Sequence, residues 1–580
     1  MKTPRPLALR HVRRRIGGVA VALAVACSWA SPGSGQDAEP FGNSLQDVFD
    51  SYRWGDAQWS ALVVSVDTRD TLFAVGADTP LAPASNIKLL TTAAALHILG
   101  PEYRFQTWVM ADGAIDDGVL LGDLVVYGTG DPGISDRYYG AKDEVFQRLA
   151  DQLERAGIHT VTGDLVADAS YFEGPLRDPG WDRRDLNEHF TAGVSALSFN
   201  ENVVSFRIRP GEVEQPPIVE TIPSHSALVV ENSAETVTGR ARPRLAILRD
   251  DPLEPVRIEG RLQAGSRDVW RQMTVAVPGD FFAASFRATL GERGIVIEGD
   301  NRTVARSDLS ALPSISAPAL GRPGPRVVAH HVSRPLSDYV EVVNKESNNL
   351  FAELIFRAIG RASEGAGSAD AAALAIGRTL HEIGVDTTGL VQVDGSGLSG
   401  RNRVSAAHFV QTIGQMSEGP LWPEYWASLP RAGTRYELGR MYRTAAAGNL
   451  RAKTGTIRGV SALSGMVRSR DGERLAFSLI VNGSPSQSRA KRLENQIGAR
   501  LAEYTRPEGF APTMVAEETP PPSRATAFAD RHRISRGESL SEIAQRYGVT
   551  TAEILELNPR VRANRIIAGQ WIELPKKGGS

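Results

Sequence analysis

Residues 80–100 read PLAPASNIKLLTTAAALHILG, a stretch that opens on prolines and closes on Gly100. Pro83 and Ser85 mark a helix start. Leu89, Leu90, Ala93, Leu96 and Leu99 then give one apolar helical stripe. Near its start, Ser85-Asn86-Ile87-Lys88 sets a hydroxyl and an amine three residues apart, on one helix face. A serine hydroxyl needs a nearby base to become a nucleophile, and a lysine amine serves if its pKa is lowered. A helix N-terminus and a second cation both lower it. Alone, these residues are more simply an N-capping serine and a solvated first-turn lysine.

Working outward, WSALVVSVDT and TLFAVGA precede the helix and read as a hairpin across Arg69-Asp70. Residues 105–315 are mostly strand-like, with RFQTWVM, GDLVVYG, TGDLVADASYF, VVSFRIRP, SALVVE, RLAILR and MTVAVP separated by Gly and Pro turns. Helical patterns interrupt them near 141–157 and 280–294. After about 335 the helical period dominates, in RPLSDYVEVVNKESNNLFAELIFRAIG, ADAAALAIGRTLHEIG and SAAHFVQTIGQM. Strands return in NLRAKTGTI, SALSGMVRS and RLAFSLIVNG, and the charged helix SRAKRLENQIGARLAEY follows. The order predicts one α/β domain over 37–104 and 316–508, interrupted by a β-rich insertion over 105–315.

Two further motifs follow Ser85 in chain order. Ser347-Asn348-Asn349 opens the apolar helical run LFAELIF, where helix capping is the simpler reading. Lys453-Thr454-Gly455-Thr456 lies in a strand-like stretch. Gly455 would let a substrate strand approach the backbone closely, and the ammonium and two hydroxyls suit a substrate carboxylate. A surface strand with a bulge is the alternative. Asp394-Gly395-Ser396-Gly397-Leu398-Ser399 reads as a turn whose side chains bond their own backbone, and falls outside the catalytic set.

The order Ser-x-x-Lys, Ser-x-Asn, Lys-Thr-Gly is far more specific than any one motif. With PASNIK, YGTGDPGIS, DLVADASYFEG, GVSALSFNEN, VVNKESNNLFAE and VDGSGLSGRNRVS, the chain resembles the class C low-molecular-mass penicillin-binding proteins, the D-alanyl-D-alanine carboxypeptidase/endopeptidase family S13. The resemblance covers nearly all of residues 40–505. It implies a serine β-lactamase/D,D-peptidase-like α/β (α+β) fold whose insertion carries one accessory domain nested within another.

For the site, it implies that Ser85 attacks the carbonyl between two D-alanines of a peptidoglycan stem peptide and Lys88 takes its proton. Ser347 relays a proton to the leaving amine, and Asn349 holds the substrate amide and Lys88. Lys453 sets the electrostatics, and Thr454 and Thr456 bind the terminal carboxylate beside Gly455. The N–H groups of Ser85 and Thr456 form the oxyanion hole. No metal or organic cofactor is called for, and β-lactam antibiotics are implied as covalent inhibitors. In PGWDRRD, Asp185 resembles a residue that recognises the free amino end of diaminopimelate, with an exposed loop acid as the alternative. A β-lactamase-like hydrolase and a non-catalytic wall-binding scaffold are the competing functions. No glutamate motif of the β-lactamase kind stands between Asn349 and Lys453.

At 580 residues, with 42% hydrophobic and 23% charged residues, the chain suggests two to four globular domains. A net charge of −2 argues against nucleic acid as a partner. Five arginines among residues 5–15, the apolar run IGGVAVALAVA and small residues near Ala30 predict a signal peptide over 1–30. A retained anchor, or lipidation of Cys27, is the alternative. Cys27 is the one cysteine, so no disulfide or cysteine metal site is expected in the mature chain. No later stretch is apolar enough to span a membrane, so an exported, soluble protein of the periplasm or envelope is expected.

Residues 509–530 are Pro-rich and read as a linker. Residues 531–575 predict strand, helix, helix, strand, and closely resemble a LysM module. That resemblance implies binding of N-acetylglucosamine-containing glycan between Gly537, Glu538, Ser539 and Leu540 and the loop at Asn558. A small protein-contact domain is the alternative.

Overall fold

A computed structural model describes residues 39–507 apart from 53, 227, 240–243, 311–324, 435 and 436. Near the C-terminus it describes 531–534, 543, 547, 554, 558 and 571–574. The predicted signal, the linker and residues 537–540 lie outside the described residues.

The hairpin strands are β1 (Gln58–Ser65) and β2 (Thr71–Val75). They join β3 (Arg451–Ile457), β4 (Val460–Arg468) and β5 (Arg474–Asn482) in one antiparallel sheet of order β3-β4-β5-β1-β2. Successive side chains of a strand point to opposite faces. Ala61 and Val63 therefore enter one core and Leu62 and Val64 another, all of them buried. Burial on both faces is why these strands read as continuous apolar runs.

The helices of this domain are α1 (Glu39–Asp50), α2 (Lys88–Ile98), α3 (Leu336–Lys345), α4 (Asn349–Glu364), α5 (Ala369–Glu382), α6 (Ala406–Glu418) and α7 (Gln487–Glu503). Leu45 of α1 and Leu493 and Ile497 of α7 cover the Ala61 face. Leu89 and Leu90 of α2 and Phe409 and Ile413 of α6 cover the other. The apolar run at 334–360 does not form one helix. It breaks between α3 and α4, where Ser347 adopts a φ of +58°.

Within the insertion, a seven-stranded sheet is built on the hairpin Gln106–Asp116 and Val119–Gly128. Helices Glu144–Arg155 and Pro278–Glu292 join its core through Phe146, Phe282 and Phe286. The strand Arg326–Val332, beyond the expected end of the insertion at 315, pairs antiparallel with Gln106–Asp116 and closes this sheet. Strands between 203 and 274 form two smaller sheets. The expected strand at MTVAVP instead ends at Thr274, because Pro278 opens a helix, a position where its missing N–H costs nothing.

In the C-terminal segment, Arg531–Arg533 pairs antiparallel with Trp571–Glu573. Ile534, Ile543, Ile554, Ile572 and Leu574 form its core.

Candidate active site

Ser85 lies in a tight 3₁₀ turn, Ala84–Ile87, immediately before α2. It does not cap the helix: the helix N-cap position is Ile87, with no side-chain cap hydrogen bond. Lys88, the first residue of α2, is fully buried. Its Nζ lies 3.0 Å from Ser85 Oγ, 2.7 Å from Asn349 Oδ1 and 2.5 Å from the Ser396 carbonyl oxygen. Burial lowers the Lys88 pKa to about 7, against the opposing pull of the Asp394 and Glu353 carboxylates. A neutral amine with two N–H donors and one lone pair fits this set. Asn349 and Ser396 offer acceptors, and the Ser85 hydroxyl offers a proton.

The turn between α3 and α4 supplies the second motif. Capping here falls to Asn348, whose side chain accepts from the Phe351 N–H at 3.1 Å, leaving Ser347 and Asn349 for the site. Asn348 Nδ2 donates to Glu201 at 2.8 Å, and Arg137 bridges Glu201 and Glu346. The left-handed Ser347 is thus clamped on both sides by the insertion. Asn349 Nδ2 donates to the Phe190 carbonyl at 2.8 Å.

β3 supplies the third motif, at the edge of its sheet. Lys453 is 1% exposed and donates to Ser347 Oγ at 2.9 Å and to the Thr454 carbonyl at 3.0 Å. Burial, and then the charge of Lys88, hold its pKa well below the usual lysine value. Two buried ammonium groups so placed disfavour each other's charge. Thr454 is half-buried and Thr456 exposed. A Cβ on Gly455 would stand 2.6 Å from the Pro83 carbonyl oxygen. The close approach that requires glycine is therefore to the turn carrying Ser85.

The Asp394 loop makes the self-bonded turn expected of it. Asp394 accepts from the N–H groups of Gly397 at 2.8 Å and Ser399 at 2.7 Å. It also reaches the site, through the Ser396 carbonyl on Lys88. Backbone contacts carry no residue signature, so sequence reasoning missed Ser396. Glu353 was missed too, although it stands four residues after Asn349 on the same helix face.

The inserted segment 173–191 is stitched to this centre. Trp181 Nε1 donates to Asp394 at 3.1 Å, Arg401 pairs with Asp178 at 2.7 Å, and Arg357 donates to the Glu173 carbonyl. Asp185 lies in this segment, half-buried, and its carbonyl accepts from Thr191 Oγ1 at 2.5 Å. No hydrogen bond joins its carboxylate to the Lys88 cluster, and the partner of Arg184 is Asp182.

In the C-terminal module, the side-chain amide of Asn558 is occupied internally. It donates to the Ile554 and Glu573 carbonyls, each at 2.7 Å, and accepts from the Glu573 N–H at 2.8 Å. Its groups hold the final strand against the preceding helix.

The sequence model described as the D-Ala-D-Ala carboxypeptidase 3 (S13) family matches residues 43–504, and that of the LysM domain matches 532–575. The chain is 34% identical over 466 residues to the D-alanyl-D-alanine carboxypeptidase of Actinomadura sp. (strain R39), covering 77% of this chain and 82% of the relative. It is 25% identical to the D-alanyl-D-alanine carboxypeptidase DacB of Haemophilus influenzae, covering 70% and 82%. The crystal structure of penicillin binding protein 4 (dacB) from Haemophilus influenzae superposes with a TM-score of 0.67 at 22% identity, covering 79% of this chain and 99% of that one. The likeness in structure establishes a shared fold.

Proposed function

The chain belongs to the D-Ala-D-Ala carboxypeptidase 3 (S13) family and carries a LysM domain, and we propose that its reaction proceeds through an acyl-enzyme on Ser85. The observation that carries this reading is the Lys88 amine, buried and set between Ser85 Oγ and Asn349 Oδ1. As free base it takes the Ser85 proton while Oγ attacks the carbonyl between two D-alanines of a peptidoglycan stem peptide. The N–H groups of Ser85 and Thr456 stabilise the developing oxyanion, a contribution of about a hundredfold or more in comparable hydrolases. Ser347, hydrogen-bonded to Lys453, passes a proton to the departing amine. Asn349 also holds the substrate amide, and Thr454 and Thr456 bind the terminal carboxylate beside Gly455. Lys88 restores the Ser347 proton and, again as free base, takes a proton from the water that attacks the ester and passes it to Ser85 Oγ as the acyl group leaves.

The same acyl transfer serves a D,D-endopeptidase when the leaving amine belongs to a cross-linked stem. Asp185, on the segment tied to the site through Trp181 and Phe190, is the proposed partner of the diaminopimelate ammonium. β-Lactams would acylate Ser85 covalently. Residues 1–30 would direct export to the periplasm or envelope, where the substrate polymer lies. No helix among the described residues is long and apolar enough to cross a membrane.

The LysM module would bind N-acetylglucosamine-containing glycan through Gly537 to Leu540, with Asn558 as internal support. Tethering it to the peptidase raises the local substrate concentration without any new contact in the active site. Incubation with purified muropeptides, read by mass, tests the activity. Release of D-alanine or cutting of D,D-cross-links is expected. Untouched muropeptides from a folded enzyme would overturn the reading.

A further inference from the structure

Both acceptors of the Lys88 N–H groups are held by one face of α4. Asn349 accepts directly, at 2.7 Å. One helical turn later Glu353, 3% exposed, accepts through Oε1 from the N–H groups of Gly395 at 3.0 Å and Ser396 at 2.9 Å. The carbonyl that follows those two N–H groups is the Ser396 oxygen on Lys88. Asp394 holds the other end of the same peptide through the Gly397 N–H at 2.8 Å. The loop also presses on the nucleophile's turn: a Cβ on Gly397, whose φ is +85°, would lie 2.0 Å from the Ala84 carbonyl oxygen.

We propose that Glu353 is a positioning residue for the proton transfer: it fixes the Gly395–Ser396 backbone so that Lys88 spends its N–H groups on Asn349 and Ser396 and turns its lone pair to Ser85. This rests on the reading of Ser85 as nucleophile and Lys88 as base. Glu353 does not touch the reacting atoms, and it acts through the loop and through its charge.

The charge has a definite sign. Burial, and then the Asp394 carboxylate, push the Glu353 carboxyl up to about 7, and in its ionised form Glu353 raises the pKa of Lys88. The groups facing this pair are Asp394 on the loop, Arg357 one turn further along α4, and Lys453 beyond Lys88 on β3. The Glu353 carboxylate holds a proton on Lys88. Its neutralisation therefore lowers the pKa of the base.

The test is the rate of acylation by a fluorescent penicillin between about pH 5.5 and 9, using the full chain and its Glu353→Gln, Glu353→Ala and Ser85→Ala variants. Glu353→Gln keeps an oxygen for both N–H groups and removes the charge. Its acid limb is expected to move to lower pH by about half a unit or more, a threefold change in the fraction of free base. Glu353→Ala removes the acceptor and is expected to lower the rate on the high-pH plateau about tenfold or more. A Glu353→Gln profile that superposes on the wild type would overturn the proposal, and that variant decides alone should Glu353→Ala fail to fold. Labelling that persists in Ser85→Ala would instead overturn the underlying reading of the nucleophile.

Discussion

The amide of Asn348 donates a 2.8 Å hydrogen bond to the carboxylate of Glu201, tying the turn that carries Ser347 to the inserted block. Ser347 stands there at a φ of +58°, a conformation that a non-glycine residue holds only when its surroundings impose it. Glu201 also takes an ion pair from Arg137, which in turn holds Glu346. The insertion thus braces the second of the three motifs.

Replacing Glu201 with alanine leaves Asn348 and Arg137 each short of a partner, at a cost of about 1–3 kcal/mol. The expected outcome is a fall of about tenfold in β-lactam acylation rate, with Ser85 still labelled. Stopped-flow acylation beside a thermal melt checks it. An unchanged rate with a lowered Tm would assign Glu201 to stability alone.

The pH dependence follows from Lys88. Burial brings its pKa to about 7, and only the free base accepts the Ser85 proton. Acylation should rise with pH through about 7, then level, and fall about tenfold per unit on the acid side. A pH–rate profile with a fixed penicillin concentration measures it.

Gly455→Ala would put a methyl 2.6 Å from the Pro83 carbonyl oxygen. That atom is backbone, so β3 and the Ser85 turn must separate, shifting Ser85 from Lys453 and Thr456. Overpacking of this kind costs about 1–3 kcal/mol of stability, and displacement near 1 Å costs about a hundredfold in rate. Loss of acylation by about that factor in a protein that still melts cooperatively is the expected result.

Removing residues 509–580 takes away the LysM module and leaves the S13 match intact. Hydrolysis of a small soluble D-alanyl-D-alanine peptide should stay within about twofold of the full chain, while cosedimentation with insoluble peptidoglycan should fall about tenfold or more.

The main sheet was legible because Ala61 to Val64 and the strand at 474–482 are apolar on both faces, a signal that survives without context. Ser85 was not legible locally, where capping explained it equally well. Only the ordered arrival of Ser347, Asn349 and Lys453 singled it out. The helix start at Ser347-Asn348-Asn349 was legible from its capping residues, but the positive φ of Ser347 was hidden, since Glu201 and Arg137 brace it from far along the chain. The Ser396 contact was hidden because it is a carbonyl. The strand Arg326–Val332 lay outside the expected insertion because its partner is more than two hundred residues earlier. The internal hydrogen bonds of the Asn558 amide were hidden, because they go to backbone groups at Ile554 and Glu573.

The most direct test of the account is to expose the protein to penicillin, digest it, and locate the acyl adduct by mass. One penicilloyl group is expected on the peptide bearing Ser85, and none in Ser85→Ala. An adduct on any other residue of the wild type, or equal acylation of Ser85→Ala, would contradict it.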